Sequence, residues 1–282
     1  MTLTGYNFER CKLCGEHAAK PTYPLADGAI YVCPKCDFHY LNYLDDEQTT
    51  TPDRKLDKHS QGYIDTRCNE NAYLMQQRLK LVQSHLDLKG CKTLDIGAGL
   101  GQFQILLTGH GGQSYGIEPS ATRRKYAKKK LAVTLSTELV DSDYWQDNYS
   151  GYFDLITLWD VIEHVNFPHE TILSSCKLLK PGGKIFIDTP SRDTLPYKLS
   201  MFTSSISSGK MNLFLPSFYA TNRFGHKQIF TPLQLEQLLL EFGVNIFYRA
   251  KSHHKNSRRG NKIILGGEKP IPPRKVNSCA VN

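Results

Sequence analysis

Apolar and polar positions along the chain form blocks that predict strands and helices in alternation. Four short apolar runs predict strands, at residues 93–96, 114–117, 153–159 and 184–188. The third run is apolar on both faces, which is typical of a parallel strand covered by helices on each side. Helices are predicted to begin after Gly99, after Pro119 and near Pro168. The pattern therefore predicts an α/β domain with a mostly parallel sheet.

Helical periodicity and hairpin signals flank this block. Apolar residues recur at helical spacing between residues 75 and 86 and predict an amphipathic helix before the first strand. Farther along, Thr231 precedes Pro232, and Gln234 follows three residues after the threonine, which predicts a capped helix that Gly243 ends. Residues 244–250 and 262–265 predict an antiparallel hairpin at the sheet edge, with residues 251–260 as its long loop.

Changes in composition divide the chain into three parts. We predict a small cysteine-bearing ribbon at residues 1–45, a polar linker at 46–68, and the α/β domain at 69–282, with an insertion at 191–225. A long insertion is commonly a lid or a binding element. Its aromatic residues indicate a partly apolar acceptor pocket, or simple packing on the domain: Tyr197, Phe202, Phe214, Phe218, Tyr219 and Phe224.

Four of the eight cysteines form two C-x-x-C pairs. Cys11 and Cys14 make the first pair, Cys33 and Cys36 make the second, and 18 residues separate the two pairs. This spacing fits four thiolates around one tetrahedral zinc ion, whereas a redox C-x-x-C motif occurs singly beside a βαβ unit. We predict one structural zinc ion, which stabilises a ribbon too small to bury a core of its own.

The composition of the 282 residues is ordinary for a globular protein, at 40% hydrophobic. No apolar run approaches the roughly 20 residues that span a bilayer, so a cytoplasmic protein is expected. The net charge of +8 is concentrated in residues 123–130 and 249–275. These patches predict either solvated surface or contact with an anionic partner such as nucleic acid or a membrane.

Three alternate glycines follow the first predicted strand of the α/β domain. Gly97, Gly99 and Gly101 give G-x-G-x-G, and the sixth position that a nicotinamide fingerprint reserves for glycine is Gln102. Glu118 lies 21 residues after Gly97, where an acid accepts hydrogen bonds from ribose hydroxyls. The residues indicate a ribose-bearing ligand. The glycines alone leave S-adenosylmethionine (SAM), a dinucleotide and a plain tight turn open.

Four ordered motifs resemble one family. LDIGAGLGQF, GIEPS, FDLITLWDVIEHV and LKPGGKIFIDTPS resemble the class I SAM-dependent methyltransferases, over about residues 63–270. EHV and FGHKQIFTPLQLEQLLLEFGV are similar to the small-molecule branch that includes the ubiquinone-biosynthesis O-methyltransferases. The ribbon is absent from those quinone enzymes, and it resembles zinc-ribbon methyltransferases of metabolite and sugar pathways.

The resemblance implies a Rossmann-like class I methyltransferase fold, with a mostly parallel sheet and a C-terminal antiparallel hairpin, preceded by the zinc ribbon. It also implies SAM as cofactor. Asp141 and Ser142 are the residues that the resemblance places in contact with the adenine of SAM. They lie at the family-like distance of 12 to 13 residues before Asp154, although the segment preceding them departs from the family pattern. The cofactor-binding residues implied are Asp95, Gly97, Gly99, Gly101, Glu118, Pro119, Asp141, Ser142, Trp159 and Asp160.

Catalytic candidates cluster after the third strand of the α/β domain. Asp160, Glu163 and His164 have the spacing i, i+3 and i+4, which places them on one side of a helical turn. Three interpretations are open. His164 acts as a general base, or the three residues bind a divalent ion that lowers the pKa of the acceptor. In the third, Glu163 and His164 only cap and orient the following helix. The resemblance implies that His226 lies near the acceptor pocket. The alternative interpretation is that His226 is a hydrogen-bonded histidine with a purely structural role.

The expected function is methyl transfer from SAM to a small-molecule acceptor, most simply a hydroxyl of a partly apolar metabolite, lipid precursor or sugar. The ribbon and the positive charge motivate methylation of RNA or protein as the alternative. A different class of alternative is a scaffold that binds SAM without turnover. The acceptor, the methylated atom and the oligomeric state are not determined by the sequence.

Overall fold

The computed structural model describes residues 5–45, 62, 64, 72–207, 213–222, 224–252 and 260–272. The strands in these ranges are β1 (Lys20–Leu25), β2 (Gly28–Val32), β3 (His39–Leu41), β4 (Lys92–Ile96), β5 (Gln113–Ile117), β6 (Phe153–Trp159), β7 (Leu179–Pro190), β8 (Gln228–Ile229), β9 (Asn245–Ala250) and β10 (Lys262–Glu268). The helices there are α1 (Ala72–Gln83), α2 (Gln102–Gly109), α3 (Ala121–Leu131), α4 (Asp143–Asn148), α5 (Pro168–Leu178), α6 (Leu195–Ile206), α7 (Leu215–Phe218) and α8 (Pro232–Glu241).

The central sheet has six strands in the order β5-β4-β6-β7-β10-β9. The pairs β4–β5, β4–β6 and β6–β7 are parallel, while β10 pairs antiparallel with both β7 and β9. The predicted parallel sheet with an antiparallel hairpin at its edge is therefore confirmed. The hairpin loop that was predicted at residues 251–260 lies largely outside the described residues.

Both faces of this sheet are buried, as the two-sided apolar strands predicted. Leu155 and Phe186 point to one face, where they pack with Leu79 of α1 and Phe103 of α2. The other face belongs to a larger cluster that includes Ile156 and side chains of α5 and α8. Alternate residues of β6 thus enter different cores, because side chains alternate across a strand.

The cysteine ribbon, residues 5–45, is joined to the α/β part by hydrogen bonds. Its strands β1, β2 and β3 continue into β8, a strand from far along the chain. His39 pairs with Ile229, and the buried side chain of Gln234 in α8 donates to the backbone oxygen of Cys36 at 2.7 Å. Gln234 also completes the predicted capping box with Thr231. The ribbon and the start of α8 therefore support each other.

The described residues of the insertion, 191–207, 213–222, 224 and 225, include a cluster that packs on the ribbon sheet. Helix α6 buries Tyr197, whose hydroxyl contacts His39 at 3.0 Å and the hydroxyl of Tyr219 at 2.6 Å. Tyr197 and Tyr219 belong to one cluster with ribbon residues such as Ile30. Of the six aromatic residues predicted to line an acceptor pocket or pack on the domain, only Phe224 lines the cavity described below.

The predicted linker at 46–68 falls outside the described residues except at Gly62 and Ile64. Among the helices of the described ranges, none combines the length and the apolar character that crossing a membrane requires.

Candidate active site

A cavity of about 520 Å³ opens at the carboxyl ends of β4, β5 and β6. Ligands of parallel α/β sheets bind at this edge, and the volume suits a ligand of cofactor size. Gly101 and Ser142 lie outside the lining. The other eight residues predicted to bind the cofactor do line the cavity: Asp95, Gly97, Gly99, Glu118, Pro119, Asp141, Trp159 and Asp160.

Close packing against the rest of the chain shapes the glycine loop. Gly97 has φ 71°, and a Cβ atom there would lie 2.4 Å from Cγ2 of Val161. Gly101 has φ 77°, and a Cβ there would lie 2.7 Å from Cγ1 of Val133. Both positions require glycine, because the left-handed region disfavours side chains and no space remains. Gly101, predicted as a cofactor residue, therefore has a packing reason to be glycine.

Glu118 directly follows β5 and is only 1% exposed, although it lines the cavity. Its Oε2 accepts from the backbone N–H of Gly99 at 2.9 Å and its Oε1 from that of Ser120 at 2.8 Å. Burial raises the pKa of Glu118, while Arg123, 3.6 Å away, opposes this rise. The carboxyl is thereby held at a fixed position between the glycine loop and α3, with lone pairs left for ligand hydroxyls.

Asp95 lies in β4 and also lines the cavity from a buried position. The hydroxyl of Thr157 donates to its Oδ1 at 2.6 Å. Burial raises the pKa of Asp95 to about 7, and the hydrogen bond from Thr157 partly offsets this effect. A cationic group of a ligand beside this carboxyl would favour its charged form.

Asp160 is held in an ion-pair network rather than beside Glu163 and His164. Its φ of 55° is left-handed, and its carboxylate accepts from Arg78 of α1 at 2.7 Å and from Lys262 of β10. Arg78 also binds Asp188 of β7, at 2.8 Å. The predicted helical turn, which would place Asp160 on one side with Glu163 and His164, does not form at Asp160. This residue, directly after β6, has a left-handed backbone, and its side chain pairs with Arg78.

A compact group forms instead from Glu163, His164 and His226, whose ligand atoms all lie within 4.8 Å of one another. Glu163 is fully buried, and its Oε2 accepts from Thr189 at 2.9 Å. Within the described part of the chain, Oε1 of Glu163 and Nδ1 of His164 are buried without a hydrogen-bond partner. Orphaned atoms of this kind are rare in folded proteins, and a bound ligand or ion commonly explains them.

Burial sets the protonation of this group. It raises the pKa of Glu163 to about 8, with the charge of Asp160 adding to the effect. It lowers the pKa of His164 to about 3, and His226 contributes in the same direction. Burial also lowers the pKa of His226. Both imidazoles are therefore neutral near pH 7 and present lone pairs, which is the form that accepts protons or binds metals.

A second part of the cavity wall comes from segments far apart in sequence. The loop after β6 contributes His164 and Asn166, residues 222 and 224 contribute from the insertion, and Asp45 contributes from the end of the ribbon. Asn166 and Asp45 exchange two hydrogen bonds of 2.8 Å. The guanidinium of Arg123 lies 5.0 Å from the ring centre of Phe224. The ribbon thus helps to shape the cavity.

A buried lysine, Lys227, binds two of the residues that form this wall, Asp45 and His164. Lys227 is fully buried, and its Nζ donates to Oδ2 of Asp45 and to the backbone oxygen of His164, each at 2.7 Å. Its own backbone N–H donates to the backbone oxygen of Glu163 at 2.8 Å. One side chain therefore connects the ribbon terminus to the loop that carries the histidine.

The four predicted zinc ligands lie together at one end of the ribbon. Sγ of Cys11 is 3.6 Å from Sγ of Cys36, and Sγ of Cys14 is 3.6 Å from Sγ of Cys33. A disulfide would bring two sulfurs to about 2.05 Å, whereas the edge of a tetrahedral zinc–thiolate site is about 3.8 Å. The donor set and its spacing fit a zinc ion.

Sequence reasoning missed several residues of this site. Arg78 and Asp45 lie in no motif, Lys227 lies in the FGHKQIF segment but only His226 of that segment is predicted as a site residue, and Lys262 belongs to a basic segment predicted to face solvent or an anionic partner. The two arginines at the start of the other basic run also turn inward: Arg123 lies near Glu118, and Arg124 donates to its backbone oxygen at 2.6 Å. The positive charge of a segment does not show which of its basic side chains point to solvent and which bind groups inside the protein.

A profile of the methyltransferase domain family matches residues 68–248, which is more than half of the chain. The chain belongs to this methyltransferase family. The ubiquinone biosynthesis O-methyltransferase of Thiobacillus denitrificans is 32% identical over 127 residues, 44% of this chain and 55% of that protein. The same enzyme of Methylococcus capsulatus is 28% identical over 128 residues, 44% and 54% of the two chains. The methyltransferase thus spans about half the length of these curated relatives.

Solved structures agree on the fold. A SAM-dependent methyltransferase of Methanosarcina mazei matches with a TM-score of 0.53 at 15% identity, covering 68% of this chain and 97% of that one. The magnesium protoporphyrin IX methyltransferase of Synechocystis, solved with bound S-adenosylhomocysteine (SAH), matches with a TM-score of 0.51 at 15% identity, covering 77% and 90%. The predicted class I fold is confirmed.

Proposed function

We propose that this methyltransferase transfers the methyl group of SAM to a hydroxyl of a small, partly apolar acceptor. The observation that carries the proposal is one cavity whose wall combines the buried carboxyls of Asp95 and Glu118 with the neutral His164. The names of the ubiquinone biosynthesis relatives support O-methylation of a small molecule. Their partial coverage leaves the particular acceptor open.

The cofactor half of the proposal rests on residues whose chemistry matches SAM. Glu118 would accept from the ribose hydroxyls, Asp95 would face the cationic amino acid part, and Asp141 would contact the adenine. SAM supplies an electrophilic methyl group on a sulfonium that leaves as a neutral thioether. The protein then mainly has to hold the acceptor oxygen in line with that methyl group and exclude water.

The acceptor half rests on the side chains near His164. Val165, Phe167 and Phe224 line the cavity with apolar surface, and Asn166 and Asn222 add amide groups. An apolar wall with few polar groups suits a ring or chain that carries a hydroxyl. His164, neutral near pH 7, would accept the hydroxyl proton as the acceptor oxygen attacks.

Glu163, His164 and His226 also have the donor set of a divalent ion such as zinc, iron or manganese. A bound ion would lower the pKa of the acceptor hydroxyl. In that case His164 and His226 would serve as ligands, and Asp160 would remain with Arg78. At the ribbon we propose one structural zinc ion bound by Cys11, Cys14, Cys33 and Cys36.

The proposed function is tested by incubating the protein with methyl-labelled SAM and a lysate of the source cells. We expect label in the small-metabolite or lipid fraction, where the mass identifies the acceptor. Label in RNA or protein would instead favour the macromolecular alternative and give the basic surface a role. SAM binding without release of SAH in any fraction would favour a scaffold.

Replacing Glu118 by Ala is expected to weaken SAM binding by about 10- to 100-fold, because hydrogen bonds to a charged group contribute roughly 1.5–3 kcal/mol. Isothermal titration with SAM measures this change. Glu138→Ala is the matched control, since Glu138 is exposed and lies outside the cavity lining. Unchanged SAM affinity in a folded Glu118→Ala protein would remove the ribose assignment.

Replacing His164 by Ala is expected to lower kcat by about 10²- to 10⁴-fold while leaving the Kd for SAM unchanged, because a proton acceptor or metal ligand acts on the methyl acceptor. His169→Ala is the control, since His169 pairs with the exposed Glu241 at 3.2 Å away from the cavity. A wild-type rate for His164→Ala with the true acceptor would contradict both catalytic roles of His164.

A further inference from the structure

Helix α6 exposes apolar side chains and buries polar ones, which reverses the usual pattern of a surface helix. Its buried face carries Tyr197, Ser200 and Ser204, none more than 2% exposed. Its outward face carries Leu195, Leu199, Phe202 and Ile206, which are 80, 44, 62 and 70% exposed. An apolar face of this kind is stable in water only at a cost, so a covering surface is expected.

Two further large apolar side chains are exposed shortly after the helix in the sequence. Leu213 and Phe214 are 48 and 50% exposed, and the N–H of Phe214 donates to the Ser200 hydroxyl at 2.9 Å. We call these two residues and the four of the outward face the α6 patch. They are six of the 13 large hydrophobic residues that are exposed in the described chain, and the other seven lie elsewhere. The α6 patch presents on the order of 500 Å² of apolar surface.

The spacing on α6 is that of helix-to-helix packing. Its exposed apolar residues follow one another at intervals of four, three and four. Such i, i+4, i+7, i+11 spacing places the four side chains in one narrow stripe along the helix, and a stripe of this kind packs against another helix. The sequence of intervals is the same in both directions, so the stripe is complementary to an antiparallel copy of itself. A self-complementary patch of this kind is what a two-fold symmetric interface requires.

A membrane surface fits this helix less well. Helices that lie in a bilayer interface are rich in Lys and Arg on their polar face. Helix α6 contains Lys198 as its one basic residue, and Lys198 pairs with Asp193 at 3.0 Å. Its polar residues are otherwise small hydroxyl side chains, several of which are buried.

We propose that the methyltransferase forms a homodimer in which α6 packs antiparallel against α6 of a second copy. The two-fold axis passes between Leu199 and Phe202. Leu195 then contacts the partner's Ile206, and Leu199 contacts the partner's Phe202. Two copies of the α6 patch bury roughly 1,000 Å², the lower bound for a specific interface.

Sedimentation equilibrium of the full chain between about 1 and 100 µM tests this interface. Wild-type protein is expected to shift from monomer to dimer across this range. Phe202→Asp is expected to raise the dimer Kd by roughly 30-fold or more, because it places a charge at the centre of an apolar interface. Leu240→Asp is the matched control, since Leu240 is 52% exposed on α8 and lies outside the α6 patch.

Cross-linking tests the antiparallel arrangement. Residues 195 and 206 of one helix are about 16 Å apart, too far for a disulfide within a chain. Under oxidation, Leu195→Cys combined with Ile206→Cys is expected to give a covalent dimer through a 195–206 bridge, identified by mass spectrometry, and neither single variant gives one.

Three results would overturn the proposal. The first is wild-type protein that stays monomeric at 100 µM. The second is a dimer that Phe202→Asp leaves unchanged. The third is a monomer that binds phosphatidylglycerol vesicles through Phe202, which would assign the α6 patch to a membrane. Both Asp variants replace exposed side chains, so their unfolding temperatures are expected to match that of the wild type.

Discussion

Replacing Lys227 by Met is expected to lower the free energy of unfolding by about 3–5 kcal/mol, because it leaves the carboxylate of Asp45 buried without its cation. The ammonium of Lys227 lies 2.7 Å from that carboxylate, and the side chain of Asp45 is only 10% exposed. The same ammonium binds the backbone oxygen of His164, so the wall of the cavity loses a support as well. Urea unfolding followed by circular dichroism measures the loss.

Two further variants make this result specific. Lys180→Met removes an ion pair of nearly equal length, 2.8 Å to Asp154, whose side chains are 36 and 27% exposed. We expect it to cost about 1 kcal/mol or less. The double variant Lys227→Met with Asp45→Asn is expected to recover part of the stability, since the unpaired charge is gone. A Lys227→Met protein within 1 kcal/mol of the wild type would show that Asp45 is neutral or solvated there.

Removing the metal from the ribbon is expected to destabilise the whole protein and not the ribbon alone. In small zinc domains, structural zinc contributes about 10–16 kcal/mol of binding free energy. Because the site is not formed in the unfolded chain, this binding free energy stabilises the folded state. Here β3 pairs with β8, and the backbone oxygen of Cys36 accepts from Gln234 at 2.7 Å. Loss of the ribbon therefore exposes the start of α8 and the cluster around Tyr197.

Elemental analysis and thermal unfolding measure this effect together. We expect about one zinc per chain in the purified protein, and a fall in unfolding temperature of ten degrees or more after chelation, on the order of several kcal/mol. Cys33→Ser is expected to lose zinc and stability, whereas Cys91→Ser keeps both, since Cys91 is a lone thiol that donates to the backbone oxygen of Asp87. Metal-free protein with an unchanged unfolding temperature would contradict the zinc assignment.

Local patterns predicted the elements well because their causes are local. The capping box of Thr231 and Gln234 depends on residues three apart, and it forms as predicted. The two-sided apolar run of β6 depends on covering helices that the alternation of elements already implied. The spacing of the two cysteine pairs brought four thiols within 4.8 Å. In each case residues close together in the sequence set the geometry, and contacts between distant parts of the chain contribute little.

The candidate site was predicted only in part. Glu118 and Asp95 line the cavity because they sit at strand ends, and strand order brings those ends together. Glu163, His164 and His226, all predicted as catalytic candidates, lie together. Asp160 does not join them, because the spacing of Asp160, Glu163 and His164 places them on one side only if the backbone is helical. A single left-handed residue, Asp160, directs its carboxylate to Arg78 and Lys262.

Periodicity and short motifs were enough to predict the alternation of strands and helices, the cysteine ribbon and the family, because each depends on residues within a short segment. The packing of distant elements brings His226 to Glu163 and His164, pairs Lys227 with Asp45, and turns the apolar face of α6 outward. Asp45 and Lys227 are 182 positions apart in the chain. Pairs of this kind depend on how whole elements pack, and no local pattern encodes which charge or which face turns inward.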